Sequence, residues 1–212
     1  MEHDPQPGRQ APQHYFTPAP AGPSRPRRLS LTLAGRDVEV GTDAGVFSAD
    51  RLDLGTRVLL REVPDPPATG DLLDLGCGWG PLALAMAIAA PRARVWAVDV
   101  NPRAVQLAAD NAARLGLAGV RACLPEQVPD DVGFAAIWSN PPIRVGKAAL
   151  HALLLRWLPR LRPGAEAHLV VQRNLGADSL QAWLAGALGP GFAVGRAASA
   201  KGYRVLRVRC CA

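Results

Sequence analysis

The tetrapeptide Asn140-Pro141-Pro142-Ile143 is where this chain could do chemistry on a nitrogen. It follows an apolar run, Phe134 to Trp138, that reads as a buried strand. Two consecutive prolines end such a strand, because neither carries an N–H for a ladder or a new helix. What remains is a rigid turn presenting the Asn140 amide and the Pro141 carbonyl. Together they can accept both hydrogens of a planar NH₂ group, which frees its lone pair to attack an electrophile. A strand-ending turn with an asparagine cap would look the same, so the reading depends on what stands upstream.

Upstream, the apolar run at 71–75 enters three alternating glycines, Gly76, Gly78 and Gly80, and an alanine-rich helical pattern follows at once. Glycine lets backbone approach a ligand closely and take φ > 0, and a helix N-terminus behind it offers N–H groups. The spacing predicts a nucleotide-type cofactor. Pro81 stands where the dinucleotide fingerprint needs a third small residue, and no Gly-Lys-Ser/Thr follows, so both familiar phosphate motifs fail. The next strand, 94–98, ends in Asp99. An acidic residue at that place in a βαβ unit can hold ribose hydroxyls. The same stretch also reads as a helix start, with Asn101 as cap and Pro102 in the first position.

The elements needed to position these residues are legible. Leu29 to Val40 alternates around Ala34-Gly35-Arg36-Asp37, a hairpin pattern. A helix is expected over 53–63, then strands at 71–75, 94–98, 119–123, 133–138, 166–172, 192–198 and 203–209. Helices are expected between them at 81–90, 102–115, 147–161 and 178–188. Such alternation predicts an α/β fold: a doubly wound, mostly parallel seven-stranded sheet with an N-terminal β-hairpin and one antiparallel strand from the final hairpin. The Pro/Arg-rich residues 1–27 are too poor in large apolar side chains to join a core and are expected to be a disordered tail. The remaining 28–212 form one domain.

Composition narrows the classes. At 49% hydrophobic over 212 residues the chain can bury a real core. No apolar run is long enough to span a bilayer, and the first residues lack a signal-peptide core. The four cysteines make no C-x-x-C pair and the four histidines are scattered, so no metal site is expected. The net charge of +6 is concentrated at Arg9, Arg25, Arg27 and Arg28 and again at Arg204, Arg207 and Arg209. Basic ends suit an anionic partner such as RNA, although arginine also accumulates in an Ala/Arg/Pro-rich proteome without one.

Asp74-Leu-Gly76-Cys77-Gly78-Trp79-Gly80 resembles motif I of the class I S-adenosylmethionine methyltransferases, whose Rossmann-like fold agrees with the alternation above. Gly45-Val46-Phe47-Ser48 with Leu52-Asp53-x-Gly55 is similar to the leading segment of the methyltransferase small family, which includes ribosomal RNA small-subunit guanine-N2 methyltransferases. Asn140-Pro-Pro-Ile-Arg144-x-Gly146-Lys147, Val171-Gln172 and Lys201-Gly202-Tyr203-Arg204 resemble archaeal single-domain members. The likeness covers roughly 29–209. Bacterial two-domain members carry an extra N-terminal half with no counterpart here.

The resemblance implies a division of labour. S-adenosyl-L-methionine would be held by Phe47, Asp74, Gly76, Cys77, Gly78, Gly80, Asp99, Val100, Glu126 and Asn140. The reacting amine would meet Asn140, Pro141, Pro142 and Ile143, and RNA would be gripped by Arg144, Lys147 and Arg204. Two positions depart from the pattern. Ile143 stands where an aromatic often stacks on the flipped base, a term worth about 1–3 kcal/mol. Glu126 is displaced from the usual acidic position after the third strand. The expected activity is N2-methylation of a guanine in ribosomal RNA, free or in the small subunit, in the cytoplasm. The alternatives are a protein glutamine or small-molecule N-methyltransferase, or a non-catalytic RNA-binding relative. His151, Trp79, Trp138, Trp157 and Trp183 are expected to pack rather than react, and nothing fixes the oligomeric state.

Overall fold

A central strand buried on both faces must be apolar nearly throughout. Asp71–Leu75 (β3) is buried at every position. In the computed structural model, which describes residues 25–43, 46 and 51–211, β3 lies inside a seven-stranded sheet. Parallel partners flank it: Arg94–Val98 (β4) on one side and Phe134–Ser139 (β6) on the other. Val120–Cys123 (β5) extends the β4 side, and Leu161–Gln172 (β7), Tyr203–Cys210 (β9) and Phe192–Ala200 (β8) extend the other, in the order β5-β4-β3-β6-β7-β9-β8. Only β9 runs against its neighbours, as expected for a terminal hairpin inserted into a parallel sheet. The tail residues 1–24, and Phe47 and Ser48, lie outside the described residues.

Helices cover both faces. Leu54–Glu62 (α1) and Pro81–Ala89 (α2) bring Val58, Leu59, Leu82 and Met86 against Leu72, Ala97, Val170 and Val205. Lys147–Trp157 (α4) and Ala177–Ala187 (α5) seat Leu154, Trp157 and Leu184 on Leu73, Ile137, Leu169 and Leu206. Fully burying each such side chain stabilises the fold by about 1.5–3 kcal/mol. Among the described residues no helix is long and apolar enough to cross a membrane.

Two boundaries differ from expectation. The helix over 147–161 stops at Trp157, because Pro159 in the 3₁₀ turn Leu158–Arg160 has no N–H to continue it. Strand β7 then begins at Leu161, earlier than 166. Phe134 pairs with Leu161 and Ala136 with Glu166, so residues 162–165 bulge out of the ladder. At the other end Arg27 already belongs to the first strand, inside the stretch whose composition suggested a tail.

The N-terminal hairpin, Arg27–Leu33 (β1) and Arg36–Thr42 (β2), does not join the sheet. It packs Leu33, Val38 and Val40 on the outer sides of α2 and of Pro102–Arg114 (α3), beside Trp79. One side chain ties it down. Asn111, buried in α3, accepts from the Gly41 N–H at 2.6 Å and donates to the Gly41 carbonyl at 2.9 Å and the Trp79 carbonyl at 3.0 Å. Asn111→Leu strands three backbone groups. At about 1–3 kcal/mol for each buried group left unpaired, urea unfolding should lose at least about 3 kcal/mol. A loss under about 1 kcal/mol would mean that water repairs the gap.

Candidate active site

Strand order reverses between β3 and β6, and a crevice opens at their carboxyl ends, the place where doubly wound sheets take ligands. It is lined by Asp53, Asp74, Gly76, Trp79 and Asn140, among others. Its floor is the glycine loop between β3 and α2. Gly76, Gly78 and Gly80 stand at φ of +77°, +55° and +95°, conformations that a side chain would strain. A Cβ on Gly80 would also come within 3.2 Å of Ala108 on α3.

Four of the loop's N–H groups are spent inside the protein. Gly76 and Cys77 both donate to the Val98 carbonyl, at 2.8 and 3.0 Å, and Gly80 donates to Cys77 at 2.9 Å. The Gly78 N–H goes to Asp99 Oδ2 at 3.0 Å, and Ala83, in the first turn of α2, goes to Asp74 Oδ2 at 2.9 Å. A phosphate cradle needs such donors free. This loop offers carboxylates instead.

The two aspartates of β3 show how position decides the role of one residue type. Asp71, at the start of the strand, accepts from Trp96 Nε1 at 2.8 Å and from the Arg94 guanidinium. Burial alone would raise its carboxyl, but these hydrogen bonds outweigh burial and hold it below the usual range. Asp74, near the end, has one oxygen on Ala83 and the other, Oδ1, buried without a partner among the described residues. Burial, with the nearby charge of Asp99 added, pushes its carboxyl up to about 8 despite the Ala83 N–H. Asp99 is raised by burial as well, against the N–H groups of Asn101, Gly78 and Val100 that stabilise its charge. An unsatisfied buried carboxyl is costly, and a cationic group in the cleft would relieve it. A nucleoside carrying an ammonium and a sulfonium fits this donor set, whereas a dinucleotide's pyrophosphate does not.

Opposite the loop stands Asn140. Ser139 anchors the strand end by donating Oγ–H to the Leu75 carbonyl at 2.7 Å. The Asn140 Nδ2 group donates to Asp53 Oδ2 at 2.9 Å and to Thr56 Oγ1 at 3.1 Å. Both amide hydrogens are thereby used, and Oδ1 is bonded to no donor among the described residues. The Pro141 carbonyl accepts from Ile143 N–H at 2.9 Å across an inverse γ-turn at Pro142 (φ −74°, ψ 77°). One of its two lone pairs remains for another donor.

The other expected residues scatter around this centre. Asp99 lies under Gly78, while Val100 and Glu126 are exposed beyond the ends of β4 and β5. Arg144 and Lys147 are exposed on the segment leaving the Pro-Pro turn. Arg204 is not delivered to the cleft. Its guanidinium bonds Asp178 at 3.2 Å and Ser199 at 2.9 Å, because alternation along β9 turns Tyr203 toward α1 and Arg204 toward α5. His151 stacks on Trp183 with ring centroids 3.4 Å apart. Cys77 is a buried thiol pushed well up by burial and the neighbouring carboxylates, so it has no nucleophilic part. The two residues that sequence reasoning left without a role are Asp53 and Thr56; Asp53, expected as the first residue of a helix, is its N-cap instead.

A family model for the methyltransferase small domain matches residues 37–207. The chain belongs to that family. This methyltransferase small domain is 35% identical to the Bacillus subtilis (strain 168) protein YbxB over 79% of its own length and 85% of that protein's. It is 37% identical to ribosomal RNA small subunit methyltransferase C of Pseudomonas aeruginosa (strain LESB58), covering 74% of this chain and 49% of the relative. Among solved structures, the T. thermophilus 16S rRNA N2 G1207 methyltransferase RsmC, in complex with AdoMet and guanosine, superposes with a TM-score of 0.73 at 27% identity. That match covers 89% of this chain and 51% of RsmC. The domain thus spans about half the length of the ribosomal RNA methyltransferases it matches. The family's α/β sheet with an appended hairpin is the architecture described above.

Proposed function

We propose that this methyltransferase small domain uses S-adenosyl-L-methionine to methylate the exocyclic N2 amine of a guanine in ribosomal RNA. The observation that carries the reading is the facing pair: an amide oxygen held open on Asn140, and a pocket with two buried carboxyls beside glycine-loop N–H groups that are already bonded at Gly76, Cys77, Gly78 and Gly80. When bound, the cofactor supplies a methyl group on a sulfonium, an electrophile whose departure leaves a neutral thioether. Everything else is done by the chain. Asp74 Oδ1 would take a cofactor ammonium. Asp99 keeps lone pairs for ribose hydroxyls beyond those that Gly78 and Asn101 use. Asn140 Oδ1 and the Pro141 carbonyl accept the two amine hydrogens and aim the nitrogen's lone pair into the cleft. Catalysis of this kind is orientation and exclusion of water, and the alkylated nitrogen is acidic enough to lose its proton to solvent.

Ile143 gives the base apolar contact without aromatic stacking. A base in a single-stranded loop suits such a site, because flipping from a duplex costs a few kcal/mol. Arg144 and Lys147, exposed beside the turn, are placed for neighbouring phosphates. Relatives named as ribosomal RNA methyltransferases support this acceptor, and an acceptor of that kind sets the reaction in the cytoplasm.

The test is incubation with a tritiated methyl donor and separate pools of ribosomal subunits, naked ribosomal RNA, protein and small molecules. Label in the RNA pools, recovered as N2-methylguanosine after digestion, is expected. Label in the protein pool alone overturns the reading. For the cofactor half, Asp99→Ala removes an acceptor of charged hydrogen bonds, each worth about 1.5–3 kcal/mol. Calorimetry should find donor affinity at least about tenfold weaker; unchanged affinity would reduce Asp99 to a brace for Gly78 and Asn101.

A further inference from the structure

The two ends of an asparagine amide have nearly the same shape and differ in whether they donate or accept. For the chemistry proposed above only one end serves. With the amide turned over, an incoming amino group would meet two N–H donors and be repelled. Something must choose the orientation, and Asn140 itself cannot.

Asp53 is the group that chooses. A carboxylate accepts only, so the end of Asn140 that faces it must be Nδ2, which donates to Asp53 Oδ2 at 2.9 Å. Thr56 Oγ1 takes the other hydrogen at 3.1 Å, but a hydroxyl could donate to a reversed amide equally well. Thr56 therefore supports the orientation that Asp53 selects. Asp53 is held in turn by the start of α1, where the same Oδ2 accepts from Gly55 N–H at 2.7 Å and Thr56 N–H at 3.2 Å. Gly55 is required there: a Cβ would lie 2.9 Å from Asp53 Oδ2 and 3.0 Å from the Tyr203 ring. A helix cap and a strand-end asparagine, 87 residues apart, share one oxygen atom.

We propose that Asp53, supported by Thr56, is a positioning residue that fixes the Asn140 amide with Oδ1 toward the acceptor amine. The inference rests on the methyl-transfer reading. Its second consequence is electronic. Donating to an anion shifts amide electron density from nitrogen toward Oδ1, which makes that oxygen a stronger acceptor.

The variant to make in the full chain is Asp53→Ser. Serine is as good an N-cap, so α1 and the fold persist, but the side chain is too short to reach Asn140 and can donate as well as accept. By analogy with the groups that orient metal ligands, kcat should fall about 10- to 100-fold, with donor Kd, RNA KM and Tm unchanged. In an Asn140→Ala background the same change should have no further effect, since Asp53 acts through the missing amide. Equal losses in both backgrounds, or a lowered Tm with weakened donor binding, would overturn the proposal. A second readout needs no turnover. The Asn140 side-chain ¹⁵N–¹H signals should be downfield and slow to exchange in the wild type, and move upfield with fast exchange in Asp53→Ser. Signals that ignore the substitution sink the positioning role. A wild type that methylates no RNA while those signals respond sinks the substrate assignment and leaves the positioning intact.

Discussion

Asn140→Ala should lower single-turnover methyl transfer by about 10²–10³-fold, while calorimetry finds donor affinity near the wild-type value. The magnitude follows from removing one preorganised polar group aimed at the reacting centre, about 2.7–4 kcal/mol of transition-state stabilisation by comparison with oxyanion-hole donors. Affinity should be spared because, in the proposed site, the carboxyls of Asp74 and Asp99 do the holding. Asn140→Asp is a sharper companion. It keeps the shape but sets a second carboxylate against Asp53 Oδ2, 2.9 Å away in the present geometry. Either the new side chain moves or one acid takes up a proton, so at saturating donor residual activity should grow at low pH where the alanine variant stays flat. Turnover at the wild-type rate by Asn140→Ala would remove the amide from the mechanism. Loss of donor binding would give it a structural role instead.

The second large effect is on the pH dependence of cofactor affinity. Asp74 holds its proton up to about 8 in the empty pocket, and a cation seated against Oδ1 requires it to ionise. Binding then releases a proton. Affinity should rise by up to about tenfold per pH unit below pH 8 and level off there, where the ligand's own α-amino group begins to lose its charge. Calorimetry in buffers of different ionisation enthalpy counts the proton directly. Asp74→Asn should weaken binding at pH 8 and abolish the slope. Stability runs the opposite way. The unfolded chain ionises Asp74 near 3.8 whereas the folded chain keeps it neutral to about 8, so the native state binds more protons between those values. Asp74's own contribution to the stability of the ligand-free domain therefore falls as pH rises from about 4 to 8, and saturating donor should offset that loss. A donor affinity flat from pH 6 to 8 would mean that Asp74 is already ionised in the empty protein.

Much of this site is legible in the sequence because its parts act through the backbone. Gly76, Gly78 and Gly80 mark φ > 0, Pro141 and Pro142 mark a stopped strand, and Asp99 marks a strand end. None of these needs a tertiary partner to be recognised, and the alternation of strands and helices places all of them at one edge of the sheet. What stays hidden depends on pairing. Arg204 was expected at the substrate, and one residue of register on β9 decides that Tyr203 faces α1 while Arg204 bonds Asp178. Leu158 and Leu161 extended the helical pattern past Pro159, and only pairing with Phe134 makes Leu161 a strand residue. Asp53 was legible only as the edge of a helix, and its hold on Asn140 spans 87 residues, which no local pattern encodes.

The closed bonding of the glycine loop has a consequence in a crowded cell. Adenosine triphosphate carries the same nucleoside as the methyl donor and is a natural competitor for any adenosine site. Its added anionic groups would find Asp74 and Asp99 ahead of them, and loop amides already committed to Val98, Cys77 and Asp99. Phosphate charge brought there cannot draw on those committed amides to offset its desolvation. Discrimination is thus written into what the loop withholds, which would make abundant nucleotides poor competitors for the donor's place.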